Sequence, residues 1–118
     1  MNDINTKWTF FSNYAHVLVC LAENPDARLR DVAERVGITE RTTFRLVTQL
    51  RDANILIRVK EGRRNSYIIE PDQILRHPIE AHCTVGQLLK LILNPADWKL
   101  LKDRSERSNR RSQQKIPD

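Results

Sequence analysis

The chain is expected to be α+β, with a three-helix core, a two-stranded hairpin and a C-terminal helix. Three observations lead there. In DVAERVGITERTTFRLVTQL, Asp31 to Leu50, two helical periods are broken by a single glycine at position 37. Two β-rich runs, ILIRVK and SYII, flank a glycine-containing turn. The stretch QLLKLILN is apolar on more than one side of a helix.

The first helix is expected over Ser12 to Glu23, with Ala15, Leu18, Val19 and Ala22 on one stripe, Ser12 as cap and Asn24-Pro25 as stop. Ahead of it, Trp8, Phe10 and Phe11 are too apolar for a free terminus, which suggests packing on the core or on a partner chain. Arg30 to Val36 forms a second helix with Val32, Ala33 and Val36 inward, and Gly37 takes the left-handed conformation that ends it. Thr39 caps a third helix running to about Asn54, with Thr43, Leu46, Val47 and Leu50 inward. Ile55 to Lys60 and Ser66 to Ile69 then read as strands around a turn at 61–65. A fourth helix is expected to start near Pro78, because proline suits the first helical turn. From Asn94 onward the composition becomes RSERSNRRSQQK, too polar to fold alone. The expected division is therefore a domain over 1–93 and a basic, flexible tail over 94–118, although Trp98, Leu100 and Leu101 can dock or extend the last helix.

Charge narrows the function. The 118 residues, 40% apolar, leave room for one modest core and no large substrate pocket. The net charge is +5. Residues 28–64 hold ten Lys/Arg against five Asp/Glu, so the excess gathers on the helix–glycine–helix–hairpin segment and suggests a polyanionic partner. A solvated surface is the bland alternative. The sequence has neither an apolar run long enough to span a bilayer nor a signal peptide, so a cytoplasmic protein with no membrane partner is expected. Cys20 and Cys83 lack the spacing of a zinc site or a disulfide framework and are expected to be reduced thiols. Without a nucleophile–base pair, phosphate loop or carboxylate dyad, no enzyme and no cofactor is expected.

Helix, tight turn, helix, hairpin is the order of a winged helix-turn-helix, in which the second helix of the pair enters the major groove of DNA. The run RLRDVAERVGITERTTFRLVTQLRDANILIRVKEGRRNSYII, with the following LRHPIEAHCTVGQLL, resembles the small MarR-like winged helix-turn-helix transcriptional regulators. The resemblance spans roughly Trp8 to Leu93 and implies a DNA-binding regulator that acts as a dimer. This chain departs from the pattern at Thr43, where an apolar residue is more usual, and at Phe44, where a polar base-reading residue is more usual. It also lacks the longer helices that build an effector pocket in larger relatives, so no small-molecule effector carries over.

With Leu46 and Leu50 inward, Thr39, Glu40, Arg41, Phe44, Arg45 and Thr48 share the outer face of the third helix. Arg41 and Arg45 can present guanidinium forks to guanine or to phosphates, and Thr39 and Thr42 can hold a phosphate at the helix start. A solvated charge, or an ion pair with Glu40 or Asp52, is the alternative for each arginine. Phe44 is open to either a core position or contact with a thymine methyl. Arg63, Arg64 and Asn65 are expected at the wing tip, over the minor groove or the flanking backbone. Any soluble turn would tolerate the same residues. The basic tail can add phosphate contacts or do nothing.

On the fourth helix, Val85, Leu88, Leu89, Leu91 and Ile92 spread too widely for one chain to cover, so a homodimer joined there is expected. The alternative is that Trp98 and Leu101 fold back over that helix. Two other functions stay open: a winged helix that binds only proteins, and a metal sensor using His16 and Cys20, one helical turn apart, with His77, His82 and Cys83 near the fourth helix.

Overall fold

The computed structural model describes residues 8–114, with side chains as far as Arg110. The elements run α1 (Asn13–Glu23), α2 (Leu29–Val36), α3 (Glu40–Asp52), β1 (Leu56–Glu61), β2 (Arg64–Ile69), α4 (Val85–Ile92) and α5 (Pro95–Gln114). This is the expected α+β order, with one more helix at the end.

Helix α1 is the centre of the molecule. Val17 and Leu21 are fully buried, and Ala15, Leu18, Cys20 and Ala22 nearly so, because α2, α3, β2, α4 and α5 all pack around it. That is wider burial than one stripe, and Val19 is only half-buried. Trp8 and Phe10 are not on this chain's own core: they are 69% and 87% exposed and stack edge-to-face on each other.

The α2–α3 junction is built from backbone geometry. Gly37 has φ +90°, and the N–H groups of Gly37 and Ile38 both donate to the Ala33 carbonyl, at 2.8 and 3.0 Å. This left-handed closure turns the chain within one residue. Thr39 then caps α3, its hydroxyl accepting from the Thr42 N–H. At the far end of α3, Asn54 takes φ +62°, the Ile55 N–H reaches the Leu50 carbonyl and the Asn54 N–H the Arg51 carbonyl. Those two bonds make a Schellman closure with asparagine in the place usually held by glycine. They drop Ile55 and Leu56 straight into the core. Thr43, an unusual residue for an inward position, is fully buried because its hydroxyl donates to the Thr39 carbonyl at 3.0 Å.

Strands β1 and β2 pair antiparallel with Glu61 opposite Arg64, so the turn is Gly62-Arg63 alone. Arg64 and Asn65, expected in the turn, are the first residues of β2. The reason is turn chemistry: with Gly62 at φ +65°, two residues suffice to reverse the chain.

The start of the fourth helix also differs from expectation. Pro78 lies in a run of turns, and α4 begins at Val85, capped by Thr84, whose side chain and that of Gln87 form a reciprocal capping box. The stronger signal was therefore T-x-x-Q and not the proline. Gly86 sits where a Cβ would lie 2.9 Å from the Pro71 Cβ and 3.4 Å from the Trp98 ring, so only glycine lets α4 approach that closely. Of the residues expected on a dimer interface, Val85 and Leu89 are buried in this chain's own core and Leu88 is half-buried. Leu91 at 77% and Ile92 at 38% remain exposed.

The segment expected to be a flexible tail forms α5. It is polar, but Leu101 and Ser105 are buried, Trp98 packs on the core, and Arg104 donates to the Ser66 hydroxyl at 2.8 Å and to the Tyr67 carbonyl at 3.3 Å. A few anchors on an existing surface are enough to hold a helix that could not fold alone. Residues 115–118 of the expected tail lie outside the described residues. Between α1, the end of α3 and the 74–83 turns lies an open groove lined by Tyr14, Leu18, Ile74, Leu75, Cys83 and Leu88. No described helix is long and apolar enough to cross a membrane.

Two stability predictions follow from this arrangement. Gly37→Ala should lower stability by about 1 to 2 kcal/mol, the cost of a left-handed backbone for a residue with a Cβ. Nothing lies within 4 Å of the added carbon, so the loss is conformational and not steric. A lower urea midpoint with an unchanged slope would be its signature.

Glu70, just after β2, has a buried carboxylate oxygen without a hydrogen-bond partner, and burial followed by the charge of Asp72 raises its pKa. A carboxyl with a raised folded-state pKa adds stability below its ordinary titration range and loses it as pH rises through the raised value. Glu70→Gln should therefore be more stable than the parent at neutral pH and no different in acid below that range, as read by urea unfolding at the two pH values.

Candidate nucleic-acid interface

The outer face of α3 is set by its inner one. Thr43, Leu46, Val47 and Leu50 are each at most 5% exposed, which fixes the rotation of the helix and leaves Glu40, Arg41, Phe44 and Arg45 facing solvent. Phe44, for which core and surface were both open, is 59% exposed. An exposed phenylalanine between two arginines is unusual on a soluble surface and gives that face an apolar contact beside its charges.

The threonines behave differently from one another. Thr39 Oγ1 accepts from the Thr42 N–H and donates to Thr42 Oγ1 at 2.9 Å, so the two hydroxyls at the helix start are joined to each other. Thr48 donates to the Phe44 carbonyl at 2.9 Å and is half-buried. Among the described residues the ion pair found is Arg35–Glu23, between α2 and α1. Arg41 and Arg45 therefore do not pair with Glu40 or Asp52 and stand as open cations on the face. The backbone N–H groups of the first helical turn point out of the N-terminal end of α3, one of them already bonded to Thr39 Oγ1, and the helix dipole favours an anion at that end.

On the hairpin, Arg63 occupies the turn while Arg64 and Asn65 extend from it along β2, all exposed. The register sets Arg64 across from Glu61, which offsets part of its charge, and sets Lys60 across from Asn65. Lys60 and Arg58 are further exposed cations, on β1, outside the expected set of DNA-binding residues. Strand alternation puts them on the face of the buried Leu56, and they are exposed because the hairpin leaves the core towards its tip, so their charge was the signal for them.

An outward helix with open arginines, braced by a partner helix through a one-residue glycine turn and followed by a cationic hairpin, is one recognisable unit. The fold is a winged helix-turn-helix. Residues 16–57 match a family model described as winged helix-turn-helix DNA-binding, and this covers most of α1, all of α2 and α3, and the start of the wing. No curated protein matches the chain. Among solved structures, the chain is similar to the PcaV transcriptional regulator from Streptomyces coelicolor in complex with its natural ligand, at 20% identity and a TM-score of 0.44, over 84% of this chain and 74% of that one.

The residues raised as metal ligands sit apart from this winged helix-turn-helix surface. Cys20 is buried, and desolvation pushes its thiol pKa up despite the nearby Arg35, which disfavours the thiolate a metal would take. His16 Nδ1 lies 3.2 Å from Asn13 Oδ1, and no cluster of three or more His, Cys, Asp or Glu side chains suited to a metal occurs among the described residues.

Proposed function

We propose that this chain is a sequence-specific DNA-binding transcriptional regulator, with α3 in the major groove and the wing on the flanking minor groove or backbone. The observation that carries the reading is the exposed Arg41–Phe44–Arg45 face on a helix whose inner side is locked into the core. The winged helix-turn-helix DNA-binding match over residues 16–57 supports it. Two guanidinium forks one helical turn apart suit guanine O6/N7 edges, and the Phe44 ring suits a thymine methyl. Arg63 at the wing turn, with Lys60 and Arg58 behind it, supplies cations for phosphates.

Selection of bound sites from a random duplex pool, followed by binding across a salt series, tests the reading. Enrichment of one site, with affinity that falls as salt rises, is the expected result. Failure to enrich any duplex would leave the fold serving a protein partner instead. With the selected site in hand, Arg45→Ala should weaken specific binding by about 1 to 3 kcal/mol and nonspecific binding by less. Equal losses on both would move Arg45 from a base to a phosphate.

A homodimer is part of the same proposal. Leu91 and Ile92 leave an apolar edge on α4, and the exposed Trp8–Phe10 pair gives a second uncovered apolar surface. Two-fold pairing would set two α3 helices about 34 Å apart on one side of the duplex, so the selected site should be an inverted repeat. Light scattering at micromolar concentration should give twice the chain mass, and Leu91→Glu should lower it. A monomeric mass together with binding to an unrepeated half-site would sink the dimer.

A further inference from the structure

Helix α5 packs against β2, and Arg104 bonds to it. Its first turns lie at the base of β2: the Trp98 ring and Pro71 flank the same Gly86. Six residues later, Arg104 reaches Ser66 and the Tyr67 carbonyl, so the helix advances from the end of β2 towards its beginning. At about 1.5 Å per residue, Arg110 lies about 9 Å further along the axis than Arg104. Along the strand, Arg64 lies about 7 Å nearer the tip than Ser66, on the same face of the hairpin. Both elements therefore bring cations to the outer end of the wing.

The residues on α5 are sorted by side. Leu101, Ser105 and the half-buried Ser108 mark its inward stripe. Arg104, Arg107 and Arg110, at three-residue steps, wind from that stripe along one flank out to the solvent face, and Arg107 and Arg110 are exposed. Residues 102–110 hold four cations against two acids, Asp103 and Glu106, and neither acid forms an ion pair with Arg107 or Arg110 among the described residues. No apolar residue occurs from 102 to 110, so this surface has nothing to form the core of a protein–protein contact.

We propose that α5 extends the DNA interface beyond the wing, with Arg107 and Arg110 joining Arg63 and Arg64 in a cationic ridge that grips the phosphate backbone outside the segment α3 reads. The inference rests on the DNA-binding reading above and deepens it. The ridge adds affinity without base preference, because guanidinium groups on phosphates carry no sequence information. Arg104 is a positioning residue: its bonds to Ser66 and Tyr67 tie the helix to the wing so that the two cationic elements approach the duplex together.

The test uses the full chain and its selected duplex, with flanks either long or trimmed to the base pairs that α3 and the wing tip cover. Arg107→Gln with Arg110→Gln should reduce the slope of log affinity against log salt by about two units for each chain bound, and trimming the flanks of the parent complex should do the same. Between about 50 and about 200 mM salt, the parent should lose roughly tenfold more affinity than the double variant for each chain bound, and so roughly a hundredfold more as a dimer. Arg107→Lys with Arg110→Lys should restore the slope, and it guards against a folding defect in the glutamine variant. The sequence selected from the pool should be unchanged in all of them. A parent that binds the duplex while the glutamine variant keeps its slope and its flank dependence overturns this inference alone. A parent that binds no duplex overturns the DNA-binding reading and this one with it.

Discussion

Everything in this molecule that faces outward depends on the burial of one helix stripe. Thr43, Leu46, Val47 and Leu50 pack α3 into the core gathered around α1, and each of the three aliphatic side chains contributes about 1.5 to 3 kcal/mol through the water it leaves. That is enough to fix the rotation of α3, because a turn of the helix by one residue would trade buried leucines for arginines. The burial holds only if the chain arrives at the right angle, which is the work of Gly37 and the Ala33 carbonyl that accepts from both Gly37 and Ile38. The small side chain of Ala33, buried at the crossing, keeps α2 close. The exposed arginines and Phe44 are thus a consequence of packing on the other side.

The wing shows how a two-stranded hairpin, marginal by itself, becomes part of a rigid body. Its inner end is held by Leu56, Tyr67 and Ile69 in the core, and the Tyr67 N–H donates to the Pro25 carbonyl in the loop after α1. The wing's other support is α5, whose Arg104 satisfies the buried Ser66 hydroxyl and a β2 carbonyl. A buried hydroxyl left without a partner would cost about 1 to 3 kcal/mol, so the contact is more than a surface decoration. Order in α5 and order in the wing therefore depend on each other, although α5 is the most polar helix of the chain.

The same interdependence explains the acids. Glu23 holds Arg35 between α1 and α2, so that cation of the basic segment serves the fold, while Glu61, across the strands from Arg64, offsets only part of its charge. Those left open on α3, at the wing turn and on the outer turns of α5 are the ones available to a polyanion. Glu70 shows the opposite economy, a carboxylate held partly out of water with one oxygen unpaired.

Local patterns were enough to read the helix pair, its glycine turn, the Thr39 cap and the inner stripe of α3, since each is set by contacts within a few residues. The outer face of α3 could be read for the same reason: once Leu46 and Leu50 face in, Arg41 and Arg45 must face out. Elements whose place is set by distant parts of the chain were not legible. Pro78 looked like a helix start until the Thr84–Gln87 capping box and the Gly86–Pro71 contact fixed the true one. Val85 and Leu89 looked like interface residues because nothing local says that α1 and α5 already cover them. The segment from Asn94 looked unfoldable by composition, and by itself it would be. Its order comes from Trp98, Leu101, Arg104 and Ser105 meeting a surface made by residues up to about ninety positions earlier. Periodicity records which side of an element is apolar, and only the assembled chain decides whether that side meets its own core, another copy or water.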